Sequence, residues 1–127
     1  MVSPVFGTEE IHFYSNAPLT LEKRQVRDLY LGKLFEVHKV AVRPVLQSSG
    51  GSHQRFLKSY IYKTVSQFKR HWKKMLFTGK ASPPPEVEGE AMGFELLLSK
   101  GNSDGVWLFY TTTDKKPEGL HKVEVSL

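Results

Sequence analysis

Residues 106–112 read Val-Trp-Leu-Phe-Tyr-Thr-Thr and follow the turn-forming run Asn102-Ser103-Asp104-Gly105. Successive side chains of an extended chain point to opposite faces of a sheet. Five consecutive apolar residues therefore load both faces with bulk, and such a strand is stable only inside a sheet that is covered on both sides. The run is too short to be a helix of ordinary length, and its β-branched and aromatic content favours a strand. A central strand of this kind restricts the chain to architectures in which helices pack on a sheet.

The rest of the chain supplies the cover. Residues 11–15 are aromatic-rich and alternating, which predicts a strand, and Asn16-Ala17-Pro18 ends it. Thr20 is placed as a helix N-cap with Lys23 at the third position, so the capping box is incomplete. Leu21, Val26, Leu29 and Tyr30 then form a helical stripe, closed by Gly32. Val40-Ala41-Val42 predicts a second strand, and Pro44 marks its end or an edge position. A turn at 47–52 leads into a helix with Phe56, Leu57, Tyr60 and Ile61 on one face. Residues 64–76 carry Val65, Phe68, Trp72, Met75 and Leu76 at helical spacing, with Lys69, Arg70, Lys73 and Lys74 on the other side.

Ser82-Pro83-Pro84-Pro85 is a stiff loop. A further helix is expected over 87–100, despite Gly89 and Gly93, and a closing strand over 121–127. The expected fold is α/β, a mixed sheet flanked by helices, in one domain over residues 1–127 with 1–9 as a loosely ordered N-terminal segment. Tyr30, Phe56, Trp72, Phe94 and Phe109 are expected in its core.

Several chemistries are set aside by composition and spacing. The 127 residues include no cysteine, which excludes disulfides, thiolate metal sites and cysteine nucleophiles. No apolar run approaches the roughly 20 residues of a membrane helix. His12, His38, His53, His71 and His121 lack metal-ligand spacing and are expected to be structural or at the surface. Gly79-Lys80-Ala81-Ser82 lacks the upstream glycine of a phosphate-binding P-loop, and no nucleophile elbow frames a serine. Glu86, Glu88 and Glu90, in or just after the proline loop, read as solvated. No catalytic residue, no metal site and no cofactor is expected, so the chain does not read as an enzyme. The formal charge of +5 favours anionic partners in general. The aromatics of the basic helix fall at core spacing, which argues against nucleic acid as the partner.

One turn carries a positive expectation. Ser48, Ser49, Gly50, Gly51 and Ser52 open a helix, where free backbone N–H groups and the positive dipole end attract an anion. Its setting also carries a resemblance. Leu19-Thr20-Leu21 through Tyr30-Leu31-Gly32-Lys33 is similar to a helix ending in an aromatic-Leu-Gly-Lys signature. Pro44-Val45 through Gly51-Ser52 to Phe56 is similar to a Ser-Gly-Thr loop and its helix. Trp72 through Phe77-Thr78-Gly79-Lys80, with the prolines after it, and residues 105–110 complete the series in order. Together these blocks resemble the phosphate ABC transporter substrate-binding proteins, in the form of a short, single-lobe periplasmic-binding-protein-like domain of type 2.

The resemblance implies a non-catalytic lobe that binds a small anion, phosphate or sulfate, weakly. It also implies a bacterial transport or sensing system, a membrane-protein or sensor partner, and a periplasmic location after removal of a signal peptide. The first residues, Met1-Val2-Ser3-Pro4-Val5-Phe6-Gly7, show no basic stretch followed by an apolar one. The chain departs from the family where a phosphate-pairing arginine is expected, since Leu46 and Gln47 stand there. Gly50 and Ser52 replace the serine and threonine of the loop, and Leu108 replaces a glycine of the late strand. These departures leave a second expectation open, a protein-docking module that has lost ligand binding.

Overall fold

The apolar run forms strand β7, Val106–Thr111, and it lies inside a six-stranded sheet. The computed structural model describes residues 10–101 and 105–127. The expectation for residues 1–9 lies outside them. In chain order the elements are β1 (His12–Ser15), β2 (Thr20–Glu22), α1 (Lys23–Tyr30), β3 (Glu36–Val37), β4 (Val40–Pro44), β5 (Leu46–Gln47), α2 (Gly51–Phe56), a π-helical turn (Leu57–Ile61), α3 (Val65–Phe77), β6 (Glu86–Val87), α4 (Glu90–Lys100), β7 and β8 (His121–Ser126). The main sheet runs β2-β8-β1-β7-β4-β3, and β5 pairs with β6 in a small parallel sheet. β7 is parallel to β4 and antiparallel to β1, so the sheet is mixed.

Alternation along β7 decides which face each side chain serves. Leu108 and Tyr110 enter one core with Phe13, Val42 and Val123, under α1, α2 and α3. Phe109 enters a second core on the opposite face with Tyr14, Val45, Leu97 and Leu120, under α4. The mixed α/β class expected from the sequence is thus realised, with helices on both faces. Tyr30, Phe56, Trp72 and Phe109 are buried as expected, whereas Phe94 is only partly buried beside the second core.

Several boundaries differ from expectation, each for a local reason. Thr20 is not a cap: Thr20–Glu22 pairs in parallel with β8, which buries Leu21, and α1 begins at Lys23. The Gln25 side-chain oxygen accepts the Glu22 N–H, a device the sequence reading missed by starting the helix too early. Gly32 lies one residue past the C-cap Leu31 at φ 76°, the left-handed position a glycine favours. Helix α3 is capped by Thr64, which exchanges hydrogen bonds with Gln67. The helix expected over 87–100 begins only at Glu90. Val87 instead joins β6, and Gly89 at φ 126° turns the chain between them.

Gly93 lies where α4 crosses β7, and a Cβ there would overlap the Phe109 ring. Helix propensity alone would make Gly93→Ala stabilising by about 1 kcal/mol. The ring is fully buried and closed in by Phe94, so overpacking outweighs propensity. Gly93→Ala is expected to lower stability by about 1–3 kcal/mol. Urea denaturation measures this, and an unchanged or raised midpoint would contradict the packing of α4 on Phe109.

Candidate functional site

Three chain segments end together at the carboxyl ends of parallel strands. β4 runs on into β5 alongside β7, with the Val45 N–H donating to the Leu108 carbonyl at 2.8 Å. β6 lies against β5, held by hydrogen bonds from Leu46 N–H to the Pro85 carbonyl and from Ser48 N–H to the Val87 carbonyl, both 2.9 Å. β5 then gives way to Ser48-Ser49-Gly50 and α2, β6 gives way to Glu88-Gly89 and α4, and β7 gives way to Thr112-Thr113. Crevices outside the carboxyl ends of strands are the usual ligand sites of open α/β sheets.

The two helices begin alike. Gly50 caps α2 at φ 106°, ψ 174°, and Gly89 caps α4 at φ 126°, ψ 174°. Neither conformation suits a residue with a Cβ. The first bonds within the helices are Gln54 N–H to the Gly50 carbonyl, 3.1 Å, and Gly93 N–H to the Gly89 carbonyl, 3.2 Å. The N–H groups before them have no acceptor within their own helix. Of the residues picked out in the sequence, Ser48, Ser49, Gly50 and Gly51 are exposed at this mouth, and Ser52 is half-buried.

Ser52 leads to the residue that sequence reasoning missed. Its hydroxyl lies 3.3 Å from a carboxylate oxygen of Glu90 and 3.2 Å from the Thr112 hydroxyl. Thr112 and Thr113 also donate to the Glu90 carboxylate. Partial burial would raise the pKa of Glu90, but bonds from Thr111, Thr113, Ser52 and the Thr112 backbone more than offset it and hold the carboxyl below its ordinary value. Tyr14, whose hydroxyl donates to the Thr113 carbonyl at 2.8 Å, is shifted up by burial and by the charges of Asp114 and Glu90. The glutamate that looked solvated thus joins the first turns of α2 and α4 to the end of β7. The only sequence signal for it is its place directly after Gly89.

Behind the mouth lies a buried network. Tyr110 accepts the Gln47 N–H at 2.8 Å, and its oxygen is 2.6 Å from His53 Nδ1. Burial, and then Lys69, push the His53 pKa down. Burial also pushes the Tyr110 hydroxyl up, well out of the range of a general base. His53 is buried in this network.

The charges the resemblance calls for are not at this mouth. Leu46 and Gln47 are both buried, and the Gln47 side-chain amide donates to the Tyr110 carbonyl at 3.0 Å. Arg43 lies over the Trp107 ring, 5.9 Å from its centroid. Arg55 lines a groove of 640 Å³ with Phe13, Tyr60 and Lys122, and the turn does not line that groove. Among the described residues no group of three or more histidine, aspartate or glutamate side chains is placed to hold a metal. No family model matches the chain, and a search of the curated proteins gives no match.

The sign of the Glu90 shift fixes a pH dependence. A carboxyl with a depressed folded-state pKa contributes stability that is present above the unfolded value, 4.5, and is lost as pH falls through the folded value. Glu90→Gln is therefore expected to cost about 1 kcal/mol at neutral pH, after allowance for partial exposure. The gap to the wild type should close as the solution is acidified below the ordinary glutamate range. Denaturation curves across that range test it, and a gap independent of pH would show that the carboxylate is not held by these hydroxyls.

Proposed function

We propose that the chain is a non-catalytic, periplasmic-binding-protein-like lobe that receives a small oxyanion, of the phosphate type, at the strand-end mouth. The observation that carries this reading is the meeting of two glycine-capped helix N-termini at the ends of parallel strands, joined through Ser52 and Glu90. First-turn N–H groups and two positive dipole ends favour an anion, and Ser48 and Ser49 are exposed beside them. The work of such a lobe is solute delivery or sensing in the periplasm, with a membrane protein or sensor as partner.

The same geometry sets strength and selectivity. Without an arginine fork the strongest type of phosphate contact is missing. One open lobe leaves the ligand wet on its other side. Glu90 repels a fully ionised anion but accepts a hydrogen bond from a protonated oxygen. Hydrogen phosphate carries such an oxygen and sulfate does not, so phosphate is favoured. Glu90 is also the observation behind the second reading. A carboxylate at the end of α2 already compensates part of its dipole, as in a lobe that has given up its ligand and serves as a docking module.

Amide chemical shifts during a phosphate titration separate the two. The expected result is saturable movement of Gly50, Gly51 and Ser52 with a Kd in the millimolar range, about 4 kcal/mol of binding free energy. Sulfate should move them less at equal ionic strength. No movement at high phosphate favours the docking module, and sub-micromolar binding contradicts the role assigned to the missing arginine and the open side.

A further inference from the structure

The outer side of α3 carries a feature that the strand-end mouth does not use. Arg70, Lys73, Lys74 and Phe77 occupy positions i, i+3, i+4 and i+7, so they share one face, opposite Phe68 and Trp72 in the core. All four are exposed. Phe77 is 91% exposed and Leu76 beside it 54%, in a chain that otherwise buries most of its aromatics. No ion pair among the described residues engages Lys69, Arg70, Lys73 or Lys74. Neither feature contributes to the core: the helix is already fixed by Phe68 and Trp72, by the Trp72 indole donating to the Tyr30 carbonyl, and by His71 bonded to the Leu31 carbonyl.

The tip is held in place. Thr78 N–H bonds the Lys74 carbonyl at 3.0 Å, Gly79 N–H the Leu76 carbonyl at 3.0 Å, and Lys80 N–H the Met75 carbonyl at 3.1 Å. With Gly79 at φ 71° this is a Schellman closure, which ends α3 abruptly and sets Lys80 beside the last turn. The chain thus presents two apolar side chains at a rigid corner beside four cations, Arg70, Lys73, Lys74 and Lys80, with Pro83, Pro84 and Pro85 stiffening the exit.

We propose that this corner docks on an anionic lipid surface, with Phe77 and Leu76 entering the headgroup–acyl boundary and Arg70, Lys73, Lys74 and Lys80 facing lipid phosphates. Complementarity of both kinds selects this occupant. Basic side chains are attracted to anionic headgroups, and exposed apolar side chains among them gain by leaving water. A nucleic acid would satisfy the cations but leave Phe77 with a base to stack on only if that base were unpaired. The proposal does not rest on the anion site, and the surface is contributed by α3 and the closure that ends it.

Sedimentation with lipid vesicles tests it, using the intact chain. Binding is expected to phosphatidylcholine vesicles containing about a third phosphatidylglycerol and not to phosphatidylcholine alone, and it should weaken as salt rises. Phe77→Ser should weaken it about tenfold by removing the inserted ring. Lys73→Glu combined with Lys74→Glu should weaken it at least twentyfold, taking about fivefold per basic residue. All three positions are exposed, so unchanged circular dichroism should accompany both variants. Absence of binding to anionic vesicles overturns the proposal, as does vesicle binding indifferent to both variants. Salt-sensitive binding to a DNA duplex that needs the lysines but not Phe77, with none to vesicles, assigns the face to nucleic acid instead.

Discussion

The Tyr110 side chain is the point through which sheet, helix and strand end are tied. Its ring stacks on Phe56 at 3.9 Å between centroids and 8° between planes, which fixes α2 on β7. Its hydroxyl accepts the Gln47 N–H and is hydrogen-bonded to His53 Nδ1, which fixes β5 to β7 and to α2. The ring of Tyr30 packs edge-on against both Phe56 and Tyr110, and its hydroxyl donates toward the Val45 and Leu108 carbonyls. Two polar groups, the Gln47 N–H and the His53 ring nitrogen, would be stranded in an apolar core without this one oxygen, a cost comparable to that of a lost buried hydrogen bond for each.

The mouth follows from that anchoring. Once Gln47 is fixed beside Tyr110, the chain leaving β5 must turn at Ser48-Ser49-Gly50 to enter α2, and a positive φ at Gly50 makes the turn possible. The parallel pairing of β6 with β5 brings Gly89 and α4 to the same edge. Glu90 then sits where three hydroxyl-bearing residues and a second helix end converge. The carboxylate steadies the arrangement.

How much of this was legible in the sequence depends on the range of the interaction. The central strand, the α3 stripe and the Gly50-Gly51 helix opening are written in periods of a few residues and were readable. The strand at Thr20–Glu22 was not, because three residues carry no period and only the partner β8 makes them extended. Val87 precedes a helical stripe and reads as part of it, whereas its pairing with Gln47 decides otherwise. Glu90 reads as solvated in the sequence because its partners lie 38, 22 and 23 residues away. That Leu46 and Gln47 lack charge is plain in the sequence, but that both turn inward follows only from the packing of β5 against Tyr110.

The most direct test of this account is Tyr110→Phe, which keeps the stacked ring and removes only the hydroxyl. The account predicts a loss of about 1–3 kcal/mol, from two buried groups left without a partner. It also predicts that the amide resonances of Gln47, Gly50, Gly51 and Ser52 move, since the strand end is no longer held. Equal stability with an unchanged turn spectrum would contradict it, and would mean that ring packing alone positions α2 and its N-terminus.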